Sequence, residues 1–206
     1  VAGNYGYFSP GVTVNASLYL FLNTGTATQP AFTLVDSDWL GMSEFTPNDY
    51  DFAPTFGDLD GDSDMDMLVG TYAGGLFCYI NHAGPGNPMQ LVRDPDPMWI
   101  NMDVGISSVP AIIDLDGDNR PDVVVGERNG NVNFFKNNGS PTEPLFNSTP
   151  EISNLGQLDA RLPGQLIGHS VPAFVQTPDG LRLIMGTQGG QLEAYSGIAA
   201  SSTAFT

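Results

Sequence analysis

Short runs of apolar and β-branched residues alternate along this chain with turns rich in glycine, proline and aspartate. Leu76 to Ile80 and Asp122 to Gly126 are two such runs, and turn residues follow each of them closely. Such runs predict β-strands, because β-branched and aromatic side chains suit a pleated surface, whereas glycine, proline and aspartate favour turns. The pattern therefore predicts an all-β fold.

The pattern of strands and turns repeats along the sequence. When Pro54 is placed on Pro110, the same shift superimposes Gly70 on Gly126 and Asn81 on Asn137. A third copy begins at Ser170, and an incomplete copy without the innermost strand opens the chain. Units of this length with four short strands are typical of β-propeller blades, whereas sandwiches do not repeat in this way.

Each complete unit is predicted to contain four antiparallel strands. The innermost strands begin at Pro54, Pro110 and Pro172. The second and third strands are predicted to pair through turns at Gly74, Gly130 and Gly190. The outer strands are expected near Phe32, Met89 and Phe146.

Two units carry a nine-residue loop with aspartates at its first, third, fifth and ninth positions. These are Asp58, Asp60, Asp62 and Asp66 in the first loop, and Asp114, Asp116, Asp118 and Asp122 in the second. Ca²⁺ binds six to eight oxygen ligands at about 2.3–2.6 Å, which alternate side chains of a tight loop can supply. Without a cation, two carboxylates about 4 Å apart repel by roughly 4 kcal/mol at an effective dielectric near 20. The loops predict two calcium sites, and the alternative is a pair of metal-free acidic turns.

An EF-hand does not fit these loops, because it needs a glutamate at the twelfth position and flanking helices. The twelfth positions are Val69 and Val125, and both lie in strand-like runs. The ninth aspartate is therefore expected to belong to the outgoing strand. In the third copy, Thr177 to Gly180 is shorter and keeps one carboxylate, which predicts a tight turn without metal.

With these loops and strands, the unit resembles the FG-GAP or VCBS repeat of secreted bacterial proteins and of the integrin α-subunit head. The resemblance covers essentially the whole chain. It implies a β-propeller, usually seven-bladed, with calcium loops on one rim, and it implies that the carbonyl groups of Asp64 and Arg120 complete the two ligand sets. The family often has glycine at the sixth loop position, where this chain has Ser63 and Asn119. The first loop is expected to be slightly more strained, because asparagine tolerates a left-handed backbone better than serine.

Residues 1–206 are expected to form one propeller segment. It divides into an incomplete blade at 1–51 and blades at 52–107, 108–169 and 170–206. About three and a half blades cannot close a seven-bladed ring, and open blade faces are prone to association. The chain is therefore expected to be a fragment of a seven-bladed propeller, or to have its missing blades supplied by another chain.

The composition of the chain limits the kinds of partner and the cellular compartment that can be expected. The chain has 6 basic and 23 acidic residues and a formal charge of −17, so it has no basic stripe for nucleic acid. No run of about twenty apolar residues predicts a membrane span. The single cysteine, Cys78, excludes an internal disulfide and is expected to be a buried thiol. Calcium loops of modest affinity need calcium near millimolar, which favours secretion, the cell surface or the periplasm.

Candidate catalytic groups are few. His82 and His169 lack the spacing of a zinc motif, and the aspartates of the loops are already assigned to calcium. The chain is therefore expected not to be an enzyme. Trp39 and Trp99 occupy corresponding places in successive units, and they either form a platform for a sugar or protein ligand or fill the wedge between blades.

These observations predict a secreted or cell-surface, calcium-binding scaffold of the adhesion type, which binds a protein or glycan partner. The alternatives are a carbohydrate-binding propeller or an accessory domain of a polysaccharide-active enzyme. The chain is also compatible with part of an enzyme whose active site lies elsewhere, or with a structural subunit of an extracellular filament or larger surface complex.

Overall fold

The computed structural model describes residues 1–4, 16–45, 49–200 and 205. That part of the chain contains thirteen β-strands, one short α-helix and two short 3-10 helices. The strands are β1 (Ala2–Asn4), β2 (Ser17–Asn23), β3 (Phe32–Asp36), β4 (Ala53–Gly57), β5 (Asp66–Gly70), β6 (Leu76–Asn81), β7 (Leu91–Asp94), β8 (Val109–Ile113), β9 (Asp122–Gly126), β10 (Val132–Phe135), β11 (Val171–Thr177), β12 (Gly180–Gly186) and β13 (Leu192–Tyr195). The helices are α1 (Pro97–Asn101) and the 3-10 turns Trp39–Phe45 and Leu155–Gln157.

The strands form four antiparallel sheets in chain order. The first sheet has the order β1-β2-β3, the second β4-β5-β6-β7, the third β8-β9-β10 and the fourth β11-β12-β13. Within each sheet, every strand pairs with its neighbour in sequence, because short turns join antiparallel strands directly. The all-β fold and the repeated hairpins are confirmed.

Three of the predicted turns lie at the expected glycines. Gly74, Gly130 and Gly190 have φ angles of 99°, 94° and 74°, which explains why glycine occupies this place in each hairpin. In the fourth sheet, Thr177 pairs with Gly180, so the hairpin from β11 to β12 closes through a tight turn as predicted. The first sheet lacks an innermost strand among the described residues, which is also as predicted.

The prediction of four strands per unit holds only for the second sheet. The outer strand expected near Phe146 does not form, and its place is taken by a single bridge between Phe134 and Ile152. Pro150 falls where Asp94 ends β7 in the second sheet, and proline cannot donate a ladder hydrogen bond. Residues 196–200, which follow β13, form no strand either.

Apolar side chains fill three seams between successive sheets. The first seam holds Ala16, Leu18, Met42, Phe52, Met67, Val69, Phe77 and Tyr79. The second holds Leu59, Leu68, Leu76, Cys78, Trp99, Met102, Val123, Val125, Phe135 and Phe146. The third holds Leu115, Val124, Val132, Phe134, Leu155, Leu158, Ala160, Leu183 and Met185. Alternate residues of one strand therefore serve two seams, since successive side chains point to opposite faces of a sheet.

A glycine marks each junction between successive sheets. Gly3, Gly70 and Gly126 occupy equivalent places in β1, β5 and β9, and an added Cβ would overlap the carbonyl oxygen of Phe52, Ser108 or Ser170, respectively, in the next sheet. Each of these oxygens belongs to the residue two positions before the proline of the next innermost strand. We call Gly3, Gly70 and Gly126 the junction glycines.

A serine hydroxyl fastens two of the three junctions. Ser108 Oγ accepts a hydrogen bond from Thr71 N at 2.8 Å and donates one to Gly75 O at 2.8 Å. Ser170 repeats this between Glu127 N, at 2.9 Å, and Asn131 O, at 2.6 Å. Each hydroxyl is thus inserted between two backbone groups of the preceding sheet. Because these serines are buried, their hydrogen bonds hold the innermost strands in register with the sheet before them.

An asparagine clamps the turn that follows the third strand of three units. Asn23 Oδ1 accepts hydrogen bonds from Gly25 N and Ala31 N, both at 3.0 Å. Asn81 and Asn137 accept equivalent pairs of amide hydrogen bonds. The repeated asparagine of the sequence therefore replaces ladder partners where the chain turns outward.

Candidate metal centres

The two aspartate loops connect the two innermost strands of the second and third sheets. The first aspartate loop, Asp58 to Asp66, joins β4 to β5, and the second, Asp114 to Asp122, joins β8 to β9. The ninth aspartate of each loop is the first residue of the outgoing strand, as predicted. Both loops therefore lie at the same end of neighbouring sheets.

The first aspartate of each loop ties the turn together through the backbone. Asp58 accepts hydrogen bonds from Gly61 N at 2.7 Å and from Ser63 N at 3.0 Å. Asp114 accepts the same two bonds, from Gly117 N at 2.8 Å and from Asn119 N at 2.9 Å. These bonds curl each loop so that the side chains at alternate positions can converge.

The sixth position of each loop has a left-handed backbone, where the sequence has a residue other than glycine. The φ angle is 71° at Ser63 and 61° at Asn119. The left-handed region costs most residues roughly 1–2 kcal/mol, and asparagine is better tolerated there.

We expect Ser63→Gly to raise the free energy of unfolding by about 1 kcal/mol, because it relieves this strain. The matched variant Asn119→Gly should give a smaller gain. Urea unfolding monitored by tryptophan fluorescence, in calcium and in EGTA, measures both. A gain at Asn119 that equals or exceeds the gain at Ser63 would contradict the strain argument.

The ninth aspartate is the buried centre of each loop. Asp66 accepts hydrogen bonds from Leu59 N at 2.7 Å and from Asn81 N at 2.8 Å, so it links the loop to the end of β6. Asp122 links Leu115 N and Asn137 N in the same way. Burial raises the pKa of Asp66 and of Asp122 to about 6 each, although these hydrogen bonds oppose the rise.

Three carboxylates converge in each loop. One carboxylate oxygen from each of Asp58, Asp60 and Asp66 lies within 4.8 Å of the other two, and the same holds for Asp114, Asp116 and Asp118. Ligands on opposite sides of a Ca²⁺ ion are separated by about 4.6–5.2 Å, twice the usual distance from the ion to an oxygen. The donor chemistry and the spacing of both groups therefore fit a calcium ion.

The two converging groups do not contain every predicted ligand. Asp62 is outside the first group, and its Oδ1 accepts a hydrogen bond from Asp64 N at 2.9 Å. Asp122 is outside the second group. Asp64 is buried, and its side chain accepts a hydrogen bond from Gly84 N at 2.7 Å, while its Oδ1 has no partner among the described residues.

Two basic side chains, one from the second aspartate loop and one from outside it, contact the carboxylates of that loop. Lys136 Nζ contacts Asp116 Oδ2 and lies 3.2 Å from Asp118 Oδ2, and Arg120 contacts Asp118. Partial burial raises the pKa of Asp118, but hydrogen bonds from Lys136 and Arg120 outweigh it and the net pKa is lowered. Among the described residues, the first loop thus has five carboxylates and no basic partner, and the second has four carboxylates and two basic partners.

The sequence contains a signal for this difference. When Pro54 is placed on Pro110, Ile80 falls on Lys136 and Asp64 falls on Arg120. The role of Lys136 is invisible without the fold, because Lys136 follows β10 and lies far from the loop in sequence. Its ammonium group approaches the carboxylates to which a cation would bind.

We expect Lys136→Gln to tighten calcium binding at the second loop by about tenfold, since a unit positive charge this close to a divalent ion repels it even through water. Isothermal titration calorimetry with calcium chloride measures the affinity. Arg182→Gln, on β12 in the fourth sheet, which has no aspartate loop, is the matched control and should leave both affinities unchanged. Equal affinities in the parent chain and the Lys136 variant would contradict the prediction.

The two tryptophans proposed as a ligand platform have different surroundings. Trp99 is 2 % exposed in the second seam, and its Nε1 donates a hydrogen bond to Asp94 Oδ2 at 2.8 Å. Its ring therefore fills the wedge between two sheets and is out of reach of a ligand. Trp39 is half-buried and lines an apolar groove of about 500 Å³ together with Val1, Leu20, Leu22, Phe56, Pro88 and Met89.

No helix in the described residues is both long and apolar enough to cross a membrane. Cys78 is buried in the second seam, as predicted, and burial raises the pKa of its thiol well above the ordinary value.

Comparison of the chain with models of protein families, with curated proteins and with solved structures gives no match.

Proposed function

We propose that this chain is a calcium-stabilised segment of a β-propeller of the FG-GAP or VCBS kind. The observation that carries the proposal is the convergence of three carboxylates in the corresponding loops of two consecutive sheets. In the first loop, no basic side chain among the described residues offsets the repulsion between the three carboxylates, whereas Lys136 and Arg120 offset part of it in the second. A divalent cation would offset that repulsion and hold the two innermost strands together.

The packing of the sheets supports a propeller arrangement. The innermost strands β4, β8 and β11 lie side by side in chain order, and β1 lies against β4. A continuous apolar seam separates each pair of sheets. Successive sheets placed around a common axis, each with its innermost strand nearest that axis, would give this set of contacts.

The role we propose is a non-catalytic scaffold for interactions, secreted or displayed at the cell surface. The clustered carboxylates that could serve as acid and base are those assigned to calcium. Extracellular calcium modules work at dissociation constants of about 10⁻⁴–10⁻³ M, which suits compartments where calcium is near millimolar. The long connectors between the sheets would carry the contacts with a protein or glycan partner, since loops on a rigid framework commonly carry binding residues.

Calcium should raise the melting temperature of the chain by about 5–10 °C relative to EGTA. A free calcium concentration ten times the dissociation constant stabilises the folded protein by about 1.4 kcal/mol per site. Each kcal/mol of added stability raises the melting temperature of a protein of this size by about 2–4 °C. Differential scanning calorimetry in 10 mM calcium and in EGTA measures the shift. Asp179→Ala, in the turn that lacks the other loop aspartates, is the matched control and should keep the full shift. The same midpoint in both solutions would reject the calcium sites.

A carbohydrate-binding propeller is the second candidate, and the groove beside Trp39 is the observation that favours it. Its lining is mainly apolar, however, and a sugar site also needs polar groups that fix the ligand. Burial of Trp99 removes the second half of the proposed platform. The scaffold role therefore agrees better with the geometry.

A further inference from the structure

The fourth sheet presents the same face that the other three sheets use for their junctions. Gly186 of β12 is equivalent to the junction glycines Gly70 and Gly126, because each of the three pairs with the first residue of an innermost strand. An added Cβ at Gly186 meets nothing closer than 3.4 Å, and that nearest atom belongs to Val171 of its own sheet. Among the described residues, nothing occupies the space that a carbonyl group of the next sheet fills at the other junctions.

The apolar residue next to this glycine is exposed only in the fourth sheet. Leu18, Leu76 and Val132 are the equivalent residues in the first three sheets, and all are fully buried. Leu192 pairs with Gly186 in the same register and is 79 % exposed. Leu192 therefore occupies the position of a seam residue, but no neighbouring sheet covers it among the described residues.

The hydrogen bonds of the fourth sheet show the same open junction. In the second and third sheets, a serine hydroxyl of the next sheet is inserted between two backbone groups, as between Thr71 N and Gly75 O. The corresponding groups of the fourth sheet are Thr187 N and Gln191 O, and they bond to each other directly at 3.1 Å. An incoming hydroxyl group would replace this bond, accepting a hydrogen bond from Thr187 N and donating one to Gln191 O.

We infer that the exposed face of the fourth sheet binds a further sheet of the same kind. Its innermost strand would carry a serine two residues before a proline, with the serine carbonyl over Gly186 and the serine hydroxyl between Thr187 N and Gln191 O. The three junctions inside this chain are the pattern from which the occupant is identified. The inference rests on the proposed propeller arrangement, and it names the contact surface and the chemistry of the partner strand.

An extended chain tests the inference. A copy of residues 147–195 is added after Thr206, so that residues 196–206 and then the copied residues 147–169 lead from β13 to the copied Ser170. This connection is as long as the segment 136–169, which leads from β10 to Ser170 in the parent chain. The copy supplies the Ser170, Val171 and Pro172 sequence that the inference requires.

Thiol labelling of Leu192→Cys reports whether the face is covered. We expect labelling at least about tenfold slower in the extended chain than in the parent chain, because local opening must precede reaction at a buried thiol. Val92→Cys, exposed in the second sheet, should react equally in both proteins, and the buried Cys78 gives the background. Equal labelling of Leu192→Cys in both proteins would overturn the inference. Protection in the parent chain that grows with protein concentration would show that a second copy covers the face, which would also overturn it.

A second measurement does not depend on the folding of the extension. In the parent chain, Gly186→Ala should change the melting temperature by about 1 °C or less, whereas Gly126→Ala should lower it by about 5 °C or more. Equal decreases in melting temperature for the two variants would mean that Gly186 is already packed against another group, and this would contradict the open junction. Calcium and EGTA midpoints of the same proteins report on the metal sites separately, so failure of the proposed function and failure of this inference give different results.

Discussion

Asp66→Ala is expected to lower the free energy of unfolding by about 3 kcal/mol even in EGTA, and to abolish calcium binding at the first aspartate loop. Asp66 is fully buried, and its two oxygens accept the amide hydrogen bonds of Leu59 and Asn81. Alanine leaves both buried donors without a partner, and each unsatisfied group costs about 1–3 kcal/mol. Since burial raises the pKa of this carboxyl to about 6, loss of a disfavoured charge offsets part of that cost at neutral pH.

Urea unfolding in calcium and in EGTA separates the two roles of Asp66. Asp60→Ala is the matched control, because Asp60 belongs to the same converging group and its loop contact is a weak amide hydrogen bond of 3.3 Å from Asp62. The control should remove the first loop's part of the calcium response, keep the part that comes from the second loop, and leave the stability in EGTA within about 0.5 kcal/mol of the parent chain. A loss below about 1 kcal/mol for Asp66→Ala in EGTA would contradict the structural role.

Gly126→Ala is expected to destabilise the chain by about 3 kcal/mol or more. Its Cβ would overlap the carbonyl oxygen of Ser170 and would also approach the ring of Pro172. The third and fourth sheets must separate to relieve this overlap, which breaks the hydrogen bonds of the Ser170 hydroxyl and loosens the third seam. Overpacking of an added side-chain atom against the backbone is among the most damaging effects of a single substitution.

Urea unfolding in calcium measures this loss, and Gly70→Ala should reproduce it at the preceding junction. Gly186→Ala is the matched control, because no atom of the described chain lies closer than 3.4 Å to its added Cβ. If the unfolding free energy of Gly126→Ala is within about 1 kcal/mol of that of the parent chain, the junction can relax around the added Cβ. That result would contradict the predicted destabilisation.

Local sequence patterns were sufficient for the inner strands and the hairpin turns of this chain, but not for every outer strand. The β-branched runs of β5 and β9 are confirmed, and so are the turns at Gly74, Gly130 and Gly190. These elements depend on residues close in sequence, where side-chain shape and backbone freedom decide the outcome. The prediction of an outer strand near Phe146 was wrong, because Pro150 and the burial of Phe146 against Trp99 outweigh a weak strand signal.

The candidate sites depend on contacts between distant parts of the chain, so sequence reasoning resolved them only in part. The spacing of the aspartates predicted both loops and the place of the ninth aspartate at the start of a strand. It did not predict the approach of Lys136, which is brought to the second loop only by the pairing of β10 with β9. It also left open whether Trp99 is a core residue or a ligand platform, because the two roles have the same sequence pattern.

The junction glycines affect how easily such a chain could lengthen during evolution by duplication of its repeat units. The group that fits against each of them is a main-chain carbonyl, and every amino acid carries an identical one. A newly duplicated unit would therefore fit this part of the junction whatever residue it places there, while the serine hydroxyl and the seam side chains still have to match. Lengthening by whole units would then be simpler for this architecture than for a core in which each contact depends on a particular pair of side chains.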